Sequence, residues 1–158
     1  LAMLPDEVSQ DYLRDQVVIV GHGEVGRRIT QTLMQDGIKV VIAEENREIV
    51  EKLRDKGIAA VSGSATEPGV LIQAHIQHAR LLVISPMDIL DIHKIVDTAK
   101  ILNLQIQVLI CAENKAEADL IRADQLGEVY LAKEEMAKNM SNYILNQIEI
   151  AHHHTPTH

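Results

Sequence analysis

The run Gly21-His22-Gly23-Glu24-Val25-Gly26 is the densest chemical signal in the sequence. A Gly-x-Gly-x-x-Gly spacing carries weight only between a buried strand and a helix. Here the β-branched run Val17–Val20 precedes it, and Val25, Ile29 and Leu33 follow at helical spacing. Each glycine has its own geometric reason. Gly21 permits a tight turn, Gly23 lets a phosphate approach bare backbone, and Gly26 lets the helix pack closely on the strand. The helix start then offers unpaired N–H groups and a partial positive charge to an anion. A second acidic position supports the reading. Glu44 ends the next strand-like run, 23 residues beyond Gly21. A carboxylate there accepts hydrogen bonds from both hydroxyls of a ribose and repels a 2′-phosphate, which disfavours NADP. The loop residues and Glu44 are therefore candidate ligand-binding residues.

The charges around the loop pull in two directions. Glu24 suits the helix N-terminus but competes with a bound phosphate for the same dipole, and Glu45 adds further negative charge. Arg27 and Arg28 compensate if either side chain turns back toward the loop. His22 reads as a spacer between two glycines; protonated, it would add pH-dependent affinity for an anion.

The signatures of catalysis are missing. Tyr130 is followed by Lys133 at the wrong spacing for a Tyr-x-x-x-Lys pair, and no lysine follows Tyr143. Cys111, the single cysteine, reads as a buried structural thiol and rules out an intramolecular disulfide. His75, His78 and His93 are scattered and lack a carboxylate to complete a metal-ligand set, so no metal is expected. Glu113, Glu117, Asp119, Asp124 and Glu128 read as a solvated acidic face.

Composition narrows the partners. The 158 residues are 46% hydrophobic and 24% charged, as in an ordinary globular domain. Three tyrosines are the only residues among Phe, Trp and Tyr, so the core must be aliphatic, and the scarcity of stacking rings argues against a platform for single-stranded nucleic acid. The net charge of −8 argues against nucleic acid and anionic lipid as the main partner. The apolar stretches fall short of the roughly 20 residues that a spanning helix needs. The chain as given reads as soluble and cytosolic.

The elements that position the loop alternate along the chain. Strands are expected at Val17–Val20, Lys39–Ala43, Ile58–Val61, Leu81–Ile84, Gln107–Ile110 and Glu128–Leu131. Helices separate them, with Asn46 and Asp88 as caps, Ser64 or Thr66 opening a short one, and a last helix over about 133–150. Such alternation means right-handed βαβ crossovers and a doubly wound parallel α/β sheet of about six strands, Rossmann-like, in one domain. The expected organisation is an entry arm over 1–15, the nucleotide-binding domain over 16–150 and a disordered tail over 151–158.

At this point the residues resemble a known family. VVIVGHGEVGRRIT, KVVIAEENREIVEKLRDKGIAAVSGSAT and ARLLVISP are similar to the RCK domain, also called TrkA-N or KTN, and most of all to that of Kef-type monovalent cation:proton antiporters. The resemblance covers about 15–147. It implies a domain on the cytoplasmic face of the inner membrane, attached to a membrane-embedded antiporter or channel domain of a longer polypeptide. It implies a homodimer, often paired through the helix after the fifth strand. It also implies an adenine nucleotide, AMP first, or ATP or NAD(H), bound at the C-terminal strand ends to gate potassium or other cation transport without chemistry. Carried over by motif, it adds Ser64, Ala65 and Ser85 to the binding residues.

Three departures from the family pattern bear on the ligand. Glu24 stands where an Arg is common, Ser64 where an Asp is common, and Cys111 where an Arg often ends the fifth strand. Loss of the cation at Glu24 favours a ligand with little phosphate charge, such as AMP. The alternative readings are the cofactor half of an NAD-dependent oxidoreductase and a structural dimerisation module with a degenerate pocket.

Overall fold

A computed structural model of the chain describes residues 14–154, so the entry arm, apart from its last two residues, lies outside the described residues. Six strands alternate with helices: β1 (Val17–Val20), α1 (Glu24–Gln35), β2 (Val40–Glu44), α2 (Arg47–Asp55), β3 (Ala59–Ser62), α3 (Pro68–Gln73), β4 (Leu81–Ile84), α4 (Ile89–Leu102), β5 (Gln107–Ala112), α5 (Lys115–Ala123), β6 (Glu128–Leu131) and α6 (Ala132–His154). A single 3₁₀ turn, Ile76–His78, joins α3 to β4. All strand pairs are parallel and the sheet order is β3-β2-β1-β4-β5-β6. The order reverses direction between β1 and β4, which opens a crevice beyond the carboxyl ends of those two strands.

The core follows from strand alternation. Val18 and Val20 of β1 pack with Leu82, Ile84 and Ile110 under the side covered by α3, α4 and α5. Val17 and Ile19 point the other way and pack with Val40, Ile42, Val50 and Leu53 under α1 and α2. With side chains alternating every residue, a strand buried on both faces must be apolar throughout, as VVIV is. Covering on the second face stops at β1. Leu81, Leu109, Cys111 and Tyr130 of β4, β5 and β6 face the same side with no helix among the described residues over them, and they line an open groove beside α1.

Several boundaries differ from the sequence-based expectation. β2 and β3 each sit one residue further on, so Glu44 is the last residue of β2. β5 runs two residues past Ile110, which places Cys111 inside the strand and half-buried on the open face rather than fully buried. The short helix opens at Pro68 with Glu67 as its cap residue, not at Ser64 or Thr66. Proline at a first helical position needs no N–H, which explains the start. Helix α6 continues to His154, past the expected stop at 150, and 155–158 lie outside the described residues.

Asn46 caps α2 as expected. Its Oδ1 accepts from the Glu48 and Ile49 N–H groups at 3.0 and 3.4 Å. Replacing it by alanine leaves those donors to water, and Asn46→Ala should cost about 1 kcal/mol. Thermal unfolding should show the midpoint lowered by roughly 2–4 °C; an unchanged midpoint would remove the cap from the account.

Candidate functional site

The glycine loop is held by close backbone contacts. Gly21 has φ +94°, a left-handed conformation that L side chains rarely adopt. A Cβ on Gly26 would lie 2.2 Å from the Gly21 carbonyl oxygen, so α1 can start this close to β1 only without one. Gly23 is different: nothing lies within 4 Å of where its Cβ would be, and the space above it is open. Gly23 is also the N-cap residue of α1 and supplies no side-chain acceptor. The first amides of α1 are therefore uncapped by any side chain and face outward, where an anion can reach them.

Strand register sets the rest of the site. Val20 of β1 pairs with Ala43 of β2 and with Ile84 of β4. Gly21, Glu44 and Ser85 thus follow at one level, past the paired residues. The Gly21 N–H donates to the Ala43 carbonyl at 2.9 Å and the Ser85 N–H to the Val20 carbonyl at 3.1 Å. Glu44 is clamped from two sides. Its Oε1 accepts from the His22 N–H at 2.9 Å and its Oε2 from the Asn46 N–H at 2.6 Å. A carboxylate has about four acceptor positions, so each oxygen keeps one for a ligand hydroxyl.

Gly21, Glu44, Ser64 and Ala65 line one cleft of about 110 Å³. The structure therefore brings together four of the ten residues that the sequence points to. Ser85 lies beneath the loop, where its Cβ and Oγ are 3.0 Å from a hypothetical Gly21 Cβ, so it acts as a spacer under the turn. Gly23 and Gly26 shape the loop beside the cleft. His22 turns its ring away, into the gap between α1 and α2 near Arg27 and Lys56. Val25 points to the opposite face of the sheet, toward the open groove.

The cleft also contains residues that sequence reasoning missed as site members. Met87 and Asp91 reach it from the start of α4, and Glu45 and Thr66 complete its rim. The signal for Met87 and Asp91 was the topology: the element after β4 must cross the crevice mouth. Ser64 and Thr66 share a hydroxyl–hydroxyl hydrogen bond of 2.7 Å, and the Thr66 N–H donates to Ser64 Oγ at 3.2 Å. Glu44, Glu45 and Asp91 line the cleft and no lysine or arginine does.

The cations nearest the loop are occupied. Glu24 accepts from Arg27 Nη2 at 3.1 Å and from Arg28 Nε at 2.8 Å. Those two guanidinium groups hold the Glu24 carboxyl below the usual carboxylate range. Both guanidinium groups are bonded to Glu24 in this arrangement. Burial holds the His22 imidazole below the ordinary histidine value, opposed in part by the Glu44 carboxylate and reinforced by Arg27 and Lys56. Its Nδ1 is buried and has no hydrogen-bond partner. Burial also pushes the Cys111 thiol up, so the thiolate is disfavoured.

Comparison with known proteins places these features in a lineage. Residues 17–131 match the TrkA-N domain family. The chain is 27% identical over 126 residues to YbaL of Escherichia coli (strain K12), named as a cation/proton antiporter; the match covers 80% of this chain and 23% of that protein. It is 23% identical over 145 residues to KefB of Alkalimonas amylolytica, named as a K⁺ efflux antiporter, covering 92% of this chain and 22% of the relative. The chain thus spans less than a quarter of the length of these relatives. Among solved structures, the TrkA-N domain of the E. coli inner membrane protein YbaL superposes with a TM-score of 0.74 at 27% identity, over 82% of this chain and 96% of that one. The Kef C-terminal domain of Shewanella denitrificans, solved in AMP-bound form, superposes with a TM-score of 0.68 at 19% identity, over 85% and 81% of the two chains.

Two measurements check the geometry. Gly26→Ala should lower stability by about 1–3 kcal/mol, because backbone must shift, whereas Gly23→Ala should leave the unfolding midpoint nearly unchanged. Equal effects would contradict the loop geometry. The His22 imidazole should titrate below about 6.5 by NMR. Its folded state prefers the neutral ring, so its contribution to stability is full above that value and is lost as the pH falls below it. A midpoint at or above 6.5 would show the ring to be solvated.

Proposed function

The chain belongs to the TrkA-N domain family, and from that premise we propose that it is the ligand-sensing regulatory part of a monovalent cation:proton antiporter, or of a related potassium transport system. The ligand is an adenine nucleotide, and the adenosine lies in the cleft beside Glu44. The observation that carries this is the clamped Glu44 carboxylate at the end of β2, one strand from the Gly21 turn. It is aimed and still able to accept from ribose hydroxyls. Two structural neighbours, one bound to NAD and one in AMP-bound form, support the ligand class. The partner is a membrane-embedded domain of a longer polypeptide, as the lengths of the antiporter relatives suggest. No helix among the described residues is long and apolar enough to cross a membrane, so the span would have to be supplied outside them. The domain works as a homodimer on the cytoplasmic side.

The role is binding rather than catalysis. A ligand shifts a transporter between states by its differential affinity for two arrangements, which needs no reacting group. The site residues fit that economy: Glu44, Ser64, Ala65 and the Gly23 amide hold and orient, and no histidine, lysine or cysteine lines the cleft to activate the Ser64 hydroxyl. Charge sets the ligand preference. With three carboxylates on the cleft and Arg27 and Arg28 held by Glu24, a ligand with little phosphate charge is favoured, AMP or NAD(H) over ATP.

Calorimetric titration with AMP, ADP, ATP, NAD⁺, NADH and NADPH tests the reading. AMP or NAD(H) should bind, with NADPH at least about tenfold weaker, since a 2′-phosphate would face Glu44. Gly23→Asp should abolish binding while the fold persists. Glu24→Gln should release both arginines and strengthen ATP relative to AMP by about three- to tenfold at low salt. A folded protein that binds none of the six would leave the structural-module reading. Hydride transfer to a small alcohol or acid would leave the oxidoreductase reading.

A further inference from the structure

Two polar side chains are buried among the described residues, Gln16 and Thr30. Thr30 spends its hydroxyl on its own helix, donating to the Gly26 carbonyl at 2.8 Å. Gln16 is fully buried and reaches across the chain. Its Nε2 donates to the Ala74 carbonyl at 3.1 Å and to the His75 carbonyl at 2.9 Å. Those carbonyls lie at the end of α3, where a helix leaves acceptors unpaired. Only the amide nitrogen can meet two carbonyls, so the side chain has one orientation. That orientation leaves Gln16 Oε1 buried without a hydrogen-bond partner. A buried acceptor without a donor is costly, so its presence has a cause. The backbone nearby is unusual too. Asp15 and His75 both hold left-handed conformations, φ +59° and +57°, which persist in non-glycine residues only where the surroundings enforce them. Both flank one junction, where the Asp15 N–H donates to the His78 carbonyl and the Arg80 N–H to the Gln16 carbonyl, each at 2.9 Å.

The other end of α3 is at the cleft. Ser64, Ala65 and Thr66 line the cleft and lead into the helix at Pro68. The Glu67 N–H donates to the Ser64 carbonyl at 3.0 Å, and the Ala74 N–H to the Val70 carbonyl at 3.1 Å. A Cβ on Gly63 would lie 2.8 Å from Val70 Cγ2, and Leu71 is fully buried, so the helix has little room to move apart from the loop before it. Its six residues span about 9 Å. Coupling between sites is carried by packed, hydrogen-bonded elements of this kind. We infer that Gln16 is a positioning residue for signalling: it ties the cleft, through α3, to the point where the entry arm joins the sheet. The inference rests on the ligand reading of the cleft and adds the path by which occupancy acts beyond it. A residue that only closed α3 could stand anywhere in the chain. Gln16 stands between β1 and Arg14, the first described residue after the arm, so whatever moves Ala74 and His75 acts on the arm's exit. The unpaired Oε1 imposes no second anchor, which lets the amide follow those two carbonyls as they move.

Hydrogen exchange at the Asp15 amide reads the junction in the full chain, because that N–H must leave the His78 carbonyl to exchange. Ser64→Ala disturbs the other end: it removes the 2.7 Å hydroxyl pair with Thr66 and the acceptor of the Thr66 N–H. Alone, Ser64→Ala should speed Asp15 exchange about threefold by NMR. In a Gln16→Met background, which keeps the side-chain length and has no donor, the same change should add less than about 1.5-fold. Gln16→Asn, one methylene shorter, serves where Gln16→Met does not fold. Asn103→Ala separates coupling from mere stability. Asn103 Nδ2 ties the same turn from the end of α4, donating to the Ile76 and Ala79 carbonyls at 2.9 Å each. Its loss should weaken the fold and leave the response to Ser64→Ala intact. Three results would overturn the inference: no acceleration in the parent chain, equal acceleration with and without Gln16, or a response lost as fully in Asn103→Ala as in Gln16→Met. The cycle needs no nucleotide, so it decides the coupling separately from the calorimetry that decides the ligand.

Discussion

The contact between the Gly21 carbonyl and the bare Cα of Gly26 is the constraint on which the rest of the site depends. A methyl group on Gly26 would sit 2.2 Å from that oxygen. Without one, α1 can start at Glu24, with only three residues between it and the last paired residue of β1. Ser85 then fits beneath the turn, at the same level on the neighbouring strand. Three elements thus meet at the point where the sheet order reverses, with almost no side-chain volume between them. What occupies the surface there is backbone, and uncapped amides at a helix start are a chemical feature that needs no specialised side chain. The left-handed Gly21 and the open Gly23 serve the same end by different means: one bends the chain, the other leaves the approach clear.

Electrostatics then decides what this backbone can hold. A glycine loop alone would take any phosphate. Glu44, Glu45 and Asp91 make the adjoining cleft a place for neutral, hydroxyl-bearing groups. Glu24 occupies the helix start with a carboxylate and keeps Arg27 and Arg28 with it. These pairs are solvent-exposed and individually weak. A ligand phosphate therefore competes on nearly even terms for the arginines, and the competition is sensitive to salt. On the proposed reading, binding in this site is graded by phosphate charge rather than switched by it.

The fold was legible in the sequence because the signals for it are local and repeated. VVIV and LLVI are apolar without alternation, the mark of strands inside a parallel sheet, and Gly37 and Gly57 close the first two helices with φ +74° and +79°. The site was legible where backbone geometry dictates residue type, at Gly21, Gly26 and Glu44. It was less so where orientation matters. His22 and Val25 lie inside the motif, yet helix and turn geometry send their side chains to two other surfaces. Met87 and Asp91 carry no motif, because crossing the crevice mouth is a property of chain path and not of residue type. Cys111 was misplaced for a related reason. A strand residue in an apolar run reads as buried on either face, and only the arrangement of helices shows that one face of β5 is bare.

That bare face explains why α1 is the element to watch. It starts from the glycine loop beside the cleft, and its residues Val25 and Ile29 wall the groove on the other side of the sheet. A helix is stiff along its axis, so a shift of its start is a shift of its groove wall as well. A ligand alters a pair of domains only by contacting two arrangements differently. A change in the pair must likewise alter the ligand's affinity by the same factor. On the proposed reading α1 is placed to feel both, since its uncapped start and its apolar flank belong to one helix of 12 residues.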